Sequence, residues 1–237
     1  MRKNNLIGLL VVFIAAFSFV GCDGDIEPLD PALNPGNGGG GGTPSGDYWP
    51  TAVNNKWIME QNGVEQPAMK MIGTDTFGGA TYYKFSAQAS GGITSATTWL
   101  NKASGVYKLK VGDLSLNMGG LTGTQTGYEM VILKDLAVGQ TWTGTYNQST
   151  TYVGIPAIVQ NTTYTGTIEE KGITLTVDGV EYTDVIKAHI LQETATDMSL
   201  SIVNTEYWYA KNVGPIKSIT YSGGGTYESI LIDYTLN

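Results

Sequence analysis

The chain has 237 residues, with 13 Lys and Arg against 21 Asp and Glu, a formal net charge of −8, one His and one Cys. Such an acidic chain is a poor partner for nucleic acid or anionic headgroups. A single His and a single Cys leave a zinc or other soft-metal site without ligands and exclude an intramolecular disulfide.

Arg2 and Lys3 open the chain, Leu6 to Val20 run almost wholly apolar, and Gly21-Cys22 follow at once. A charged start, an apolar run and small residues are the pattern of a secretory signal. The run of about 15 residues falls short of the roughly 20 that span a bilayer. Phe19-Val20-Gly21-Cys22 resembles the lipobox cut by lipoprotein signal peptidase, with Phe19 where Leu is commoner. The resemblance implies a signal peptide over 1–21 and acyl chains, palmitate among them, on Cys22. At about 0.8 kcal/mol per buried CH₂, two or three such chains anchor a protein permanently. The alternative is a secreted protein with an incidental cysteine. Asp23-Gly24-Asp25-Ile26-Glu27 resembles an acidic surface-export signal. The expectation is an outer-membrane lipoprotein, with the cell surface favoured over the periplasmic face.

Residues 22–47 hold the lipidated cysteine and a tether with Pro28, Pro31, Pro35, Pro44 and the run Gly38 to Gly42. With almost nothing to bury, this stretch predicts disorder, and as a flexible coil it spans roughly 25–30 Å. Beyond residue 47 the chain carries 11 Lys, no Arg and 16 acidic residues, a net charge of −5. The missing guanidinium removes the usual bidentate clamp for phosphate or carboxylate.

Residues 48–237 predict one all-β domain of about 11–14 strands, rich in Thr, Tyr, Val and Ile with Gly punctuation. From Thr141 the odd positions read Thr, Thr, Thr, Asn, Ser, Thr and the even ones Trp142, Gly144, Tyr146, Gln148, Thr150, Tyr152. That period of two predicts a strand with one wet face. A turn near Gly154–Ala157 returns it through Ile158, Tyr164 and Ile168 against Asn161, Thr163, Thr165, Thr167 and Glu169. Further turns fall at Asn62-Gly63, Asp178-Gly179 and Ser222–Gly225.

The chain also repeats itself. Val53-Asn54-Asn55-Lys56-Trp57 answers to Val138-Gly139-Gln140-Thr141-Trp142, and residues 80–84 answer loosely to 182–187. Trp99, Lys102, Gly105 and Lys108 have the spacing of Trp208, Lys211, Gly214 and Lys217. These matches predict two related halves, 48–134 and 135–237, and assign the repeated tryptophans to the core. The fold expected is a curved antiparallel sheet, as a half-barrel or an open barrel or sandwich.

Tyr48-Trp49-Pro50, Asn55-Lys56-Trp57, Leu136 to Trp142 and Trp208 to Lys217 resemble landmarks of a broad group of uncharacterised Gram-negative outer-membrane lipoproteins. Some of that group resemble the lipoprotein-carrier fold, which implies a half-barrel with an apolar concavity and helices across its open face.

No catalytic set emerges. His189 lies in a strand-like run and no Gly-x-Ser-x-Gly elbow exists. Glu169-Glu170, the only adjacent acidic pair, points to opposite faces of a strand. Two scattered acids converging for glycoside cleavage stays a distant third possibility. No cofactor, metal site or catalytic residue is expected. Tyr146, Tyr152 and Tyr164 are candidate ligand-binding residues, since aromatic rings pack on sugar faces; core packing is their alternative role. The expected function is a non-catalytic envelope module binding an apolar or lipid-like ligand or a protein partner. The alternative is a surface glycan-binding module for nutrient capture.

Overall fold

Alternating Thr, Tyr and aliphatic side chains make strand after strand. In the computed structural model the described residues are 46–90, 93–118, 120–197 and 199–237. The predicted signal peptide, Cys22 and nearly all of the tether lie outside them. The strands are β1 (Lys56–Gln61), β2 (Val64–Glu65), β3 (Met69–Phe77), β4 (Ala80–Phe85), β5 (Gln88–Ser90), β6 (Ile93–Ala96), β7 (Thr98–Ala103), β8 (Val106–Val111) and β9 (Leu114–Met118). They continue as β10 (Leu121–Gln125), β11 (Tyr128–Lys134), β12 (Thr141–Tyr152), β13 (Ile155–Val177), β14 (Val180–Ala195), β15 (Leu200–Ala210), β16 (Gly214–Ser222) and β17 (Gly225–Thr235). The 17 strands exceed the expected number because β2, β5 and β6 are only two to four residues long. No helix occurs among the described residues, so the helices implied by the carrier-like resemblance have no counterpart there.

All strands belong to one antiparallel sheet that does not close into a barrel. From one edge the order is β5, β6, β9, β10, β12 and onward through β17, then β1, β3, β4, β7, β8 and β11. Strand β2 pairs with the end of β1. At one end of the sheet, the tip, lie the turns at Asn62-Gly63, Val153-Gly154 and Gly223-Gly224. At the other, the base, lie Gly78-Gly79, Ser104-Gly105 and Asp178-Gly179. Asp178 and Gly179 both have positive φ (47° and 76°), the geometry that keeps a two-residue hairpin in step with strand twist. The described chain enters at the base, where the Asn212 amide donates to the Asp47 carbonyl (2.6 Å) and Lys102 pairs with the Asp47 carboxylate (2.6 Å).

Twelve of the 17 strands form two six-stranded meanders: β1, β3, β4, β7, β8 and β11, then β12 to β17. Their entries coincide bond for bond. Asn54 donates to Met71 O and Gly139 to Ile168 O, each at 2.8 Å; Asn55 donates to Ala52 O and Gln140 to Ala137 O, each at 3.1 Å. A bulge follows Met71 in one half and Ile168 in the other. Lys84 faces Trp99 across the strands, and Lys187 faces Trp208, with the ammonium groups 5.9 and 5.1 Å from the rings. The hairpins that follow differ: Trp99 pairs with Lys110, whereas Trp208 pairs with Lys217 beside a bulge.

Trp57, Trp142 and Trp208 are buried in the core, as the repeat predicts, whereas Trp99 is only half-buried. Trp208 lies with Lys187 on one side and Lys217 on the other, and Trp99 lies beside Lys84. Cation–π contact and burial of lysine stems explain how large rings settle there. The Trp99 indole donates to Asp75 (2.8 Å), and with Lys84 it holds that carboxyl below its usual range.

The apolar part of the interior lies toward the base. Trp57, Met69, Met71, Phe85, Leu100 and Tyr209 are buried there, and the entering Tyr48-Trp49 segment packs among them. The Trp49 ring sits 5.8 Å from Phe85, 6.1 Å from Tyr209 and 6.4 Å from Trp57. The chain thus fills the apolar part of its own concavity.

Candidate functional site

Toward the tip the inner face changes character. The cross-strand register sets three neighbouring rows: Gly144, Tyr164, Gln192, Val203, Ser222; Trp142, Gly166, Ile190, Thr205, Thr220, Tyr227; and Ile168, Ala188, Tyr207, Ser218, Ser229, Gln61. Above them lie Tyr146, Thr162 and Thr194, then Gln148 and Gln160. No charged side chain stands in these rows. Polar groups pair with each other across them, as burial demands. Gln125 donates to Gln160 (2.8 Å), Gln192 to the Tyr146 hydroxyl (3.0 Å) and Gln148 to Thr126 O (3.0 Å). The Thr205 and Thr220 hydroxyls share a bond at 3.1 Å, and those of Thr162 and Thr194 one at 2.9 Å.

Three buried hydroxyls, Thr98 Oγ1, Thr150 Oγ1 and Ser229 Oγ, make no hydrogen bond among the described residues, the last two on this part of the inner face. Beside Ser229, the inner-face residues Gln61, Tyr207 and Ser218 are half-buried, as are Gln192 and Thr194. There the interior meets solvent. This strip, with Tyr207, Ser218, Ser229 and Gln192 at its centre, is the candidate site. Sequence reasoning missed it because small Ser and Thr on strands read as ordinary sheet residues.

The tyrosines singled out from the sequence have a different setting. Tyr146 and Tyr164 are buried, at 9% and 6% exposure, and Tyr152 is half-buried. Tyr146 stacks on Tyr128 with centroids 4.4 Å apart and lies 6.4 Å from Tyr164. Tyr164 lies over Gly144, where an added Cβ would stand 2.2 Å from its hydroxyl. Tyr152 lies over Gly123 and Trp142 over Gly166 in the same way. Each ring covers the glycine opposite it in register. Tyr146 and Tyr164, being buried, offer a sugar no free face, while Tyr152 stays half-buried.

Their work is at the seam between β11 and β12, which share no backbone ladder. The Val131 amide donates to the Tyr164 hydroxyl (3.0 Å), and the Trp142 indole donates to Val131 O (3.0 Å). Side chains thus satisfy backbone groups that a neighbouring strand would otherwise take. Lower down, Lys171 pairs with buried Asp135.

Burial raises the phenols inside. Tyr207 is pushed up to about 12, Tyr146 is raised, and Tyr128 and Tyr209 stand well above the ordinary value. The strip therefore stays uncharged through the physiological range. A phenol with a raised folded-state value releases its proton first in the unfolded chain, near pH 10. Its contribution to stability is complete below pH 10 and is lost as pH climbs toward 12 and beyond. We expect absorbance near 295 nm to rise in two phases. The buried set, Tyr128 and Tyr209 foremost, ionises in the later phase, only together with loss of the far-ultraviolet β signal. Reversible ionisation of all tyrosines near 10 with the fold intact would contradict the burial.

The other candidate groups stand apart from the strip. His189 Nε2 bonds Asn204 Oδ1 at 3.0 Å. Glu169 and Glu170 sit at the bulge, where alternation breaks, and both are exposed; Lys187 bridges Glu169 (2.8 Å) and Glu206 (2.7 Å). Glu228 pairs with Lys217 at 2.6 Å. No group of three or more His, Cys, Asp or Glu side chains positioned for a metal occurs among the described residues.

No family model and no curated protein matches this sequence. Two solved structures resemble the fold. One is a candidate lipoprotein from Parabacteroides distasonis, with TM-score 0.49 and 10% identity, covering 80% of this chain and 99% of that one. The other is a candidate exported protein with a YmcC-like fold from Bacteroides fragilis, with TM-score 0.38 and 8% identity, covering 81% of this chain and 100% of that one.

Proposed function

We propose that this chain is a lipid-anchored protein of the outer membrane, displayed at the cell surface, that binds a neutral polyhydroxylated ligand of the glycan class without catalysis. The N-terminal pattern ending at Cys22 supports the anchor, and the acidic residues that follow support surface display. The observation that carries the ligand class is the uncharged strip of Gln, Ser, Thr and Tyr on the inner face, with the Ser229 hydroxyl unpaired beside half-buried Tyr207 and Ser218. Hydroxyl and amide groups exchange hydrogen bonds with sugar hydroxyls, and a neutral site adds no charge preference. An apolar ligand has less support, because Tyr48 and Trp49 occupy the apolar part of the interior. Catalysis has little support: Glu169, Glu206 and Glu228 are engaged with lysines on the outer face, away from any position flanking a bond in the strip.

The test is affinity electrophoresis of the Cys22→Ser chain through gels carrying neutral or charged polysaccharides. A neutral polysaccharide should retard it, and Gln192→Ala or Tyr207→Ala should weaken retention about tenfold, the loss of roughly one good hydrogen bond or ring contact. Retention by charged polymers alone, or by none, removes the glycan reading.

A further inference from the structure

From Leu136 to Ile168 the sequence holds 33 residues without one Asp, Glu, Lys, Arg or His. This segment forms hairpin β12–β13, whose turn at Val153-Gly154 lies at the tip of the sheet. Val153, Ile155, Pro156, Ala157 and Val159 are all exposed there, Val153 at 79%. Leu200, at 64%, and Ile202 add to the same end from the start of β15. The backbone beneath is paired on both strands, from Thr141 with Thr167 up to Tyr152 with Ile155, so little unsatisfied polarity accompanies the apolar tip.

We infer that this tip is a second membrane contact, inserting into the headgroup region of a neutral bilayer. It goes beyond the proposed ligand and shares no residue with that site. The apolar side chains amount to a few hundred Å², a size typical of a surface patch and well under the roughly 800 Å² per partner of a stable protein interface. A bilayer needs no such area, since each aliphatic side chain gains independently on leaving water. Among the described residues the charges nearest the tip turns are acidic, Glu193 and Asp197 on hairpin β14–β15 and Glu60 and Glu65 at the Asn62-Gly63 turn, which favours zwitterionic over anionic lipid. The described chain is entered at the base by Asp47. As a flexible coil the residues between Cys22 and Asp47 span roughly 25–30 Å, which keeps the base of the domain near the lipid. A domain lying along the membrane therefore places its tip in the bilayer that holds the lipid.

The full chain from residue 22 with Cys22→Ser, which removes the acyl chains, is the test protein. With phosphatidylcholine vesicles it should co-sediment, equally at low and high salt, and less when anionic lipid is mixed in. The double variant Val153→Asp, Ile155→Asp should lose at least tenfold in bound fraction while keeping its β spectrum and polysaccharide retention. Val180→Asp, at an exposed valine of the base turn, should bind as the parent does. Absence of vesicle binding, binding that salt abolishes, or equal loss in both variants overturns the inference. So does concentration-dependent self-association abolished by the tip variant without vesicle binding, which would assign the tip to a second copy.

Discussion

Gly166→Ala is expected to destabilise the fold by about 3–5 kcal/mol, comparable to deleting a large core side chain. A Cβ at residue 166 would stand 2.1 and 2.2 Å from two carbons of the Trp142 ring. Overpacking of this kind normally relaxes by a small rotation of the neighbour. Here the ring is fixed right beside the contact, because its indole nitrogen, bonded to one of those carbons, donates to Val131 O across the seam (3.0 Å). To yield, the indole must break that bond and leave a carbonyl on β11 without its partner. Urea unfolding should show a large drop in midpoint for Gly166→Ala. Trp142→Phe should cost less, and adding it to Gly166→Ala should restore part of the loss, the non-additivity that marks neighbours in contact. A change under about 0.5 kcal/mol in Gly166→Ala would mean the ring does not lie over that glycine.

Trp49→Ala should cost a similar amount, about 3–5 kcal/mol, and should create a new property. Trp49 precedes the first strand, yet it is buried among Trp57, Phe85 and Tyr209. Its removal leaves a cavity walled by aromatic rings and methionines, the kind that stays dry and admits small apolar molecules. The variant should bind a small aromatic such as benzene, shown by a rise in melting temperature with ligand, whereas the parent should not respond. A parent chain stabilised equally by such ligands would show that the segment does not fill the interior, and would return the apolar-ligand reading to first place.

Much of this architecture could be read from residue order. The alternation from Trp142 to Tyr152 put the even side chains inward, and Asn62-Gly63 and Asp178-Gly179 marked their turns. The match of Val53–Trp57 to Val138–Trp142 corresponded to identical entry bonds in the two meanders. Other features were out of reach because strand register is a long-range property. The hairpin turn falls at Val153-Gly154, earlier than its Gly and Pro suggest, and a bulge near Tyr152 shifts the pairing again. Without that register nothing says that Gly144 faces Tyr164 or that Gly166 faces Trp142. Of the tyrosines read as a groove, Tyr146 and Tyr164 therefore lie packed against neighbours, and Tyr152 is half-buried. Tyr207 and Ser218 became a site only through neighbours supplied by β17 and β1. Trp99, half-buried where the repeat places it in the core, shows the limit of period-two logic, which finds the face but not which face is wet.

The ladder joining β17 to β1 has a consequence for how the protein is made. Lys56 meets Thr235 and Trp57 meets Tyr234, so the first strand to leave the ribosome waits for the last before its outer edge is covered. Contacts so distant along the chain make for slow acquisition of structure. Until the final strand arrives, that edge of the first strand is without its partner.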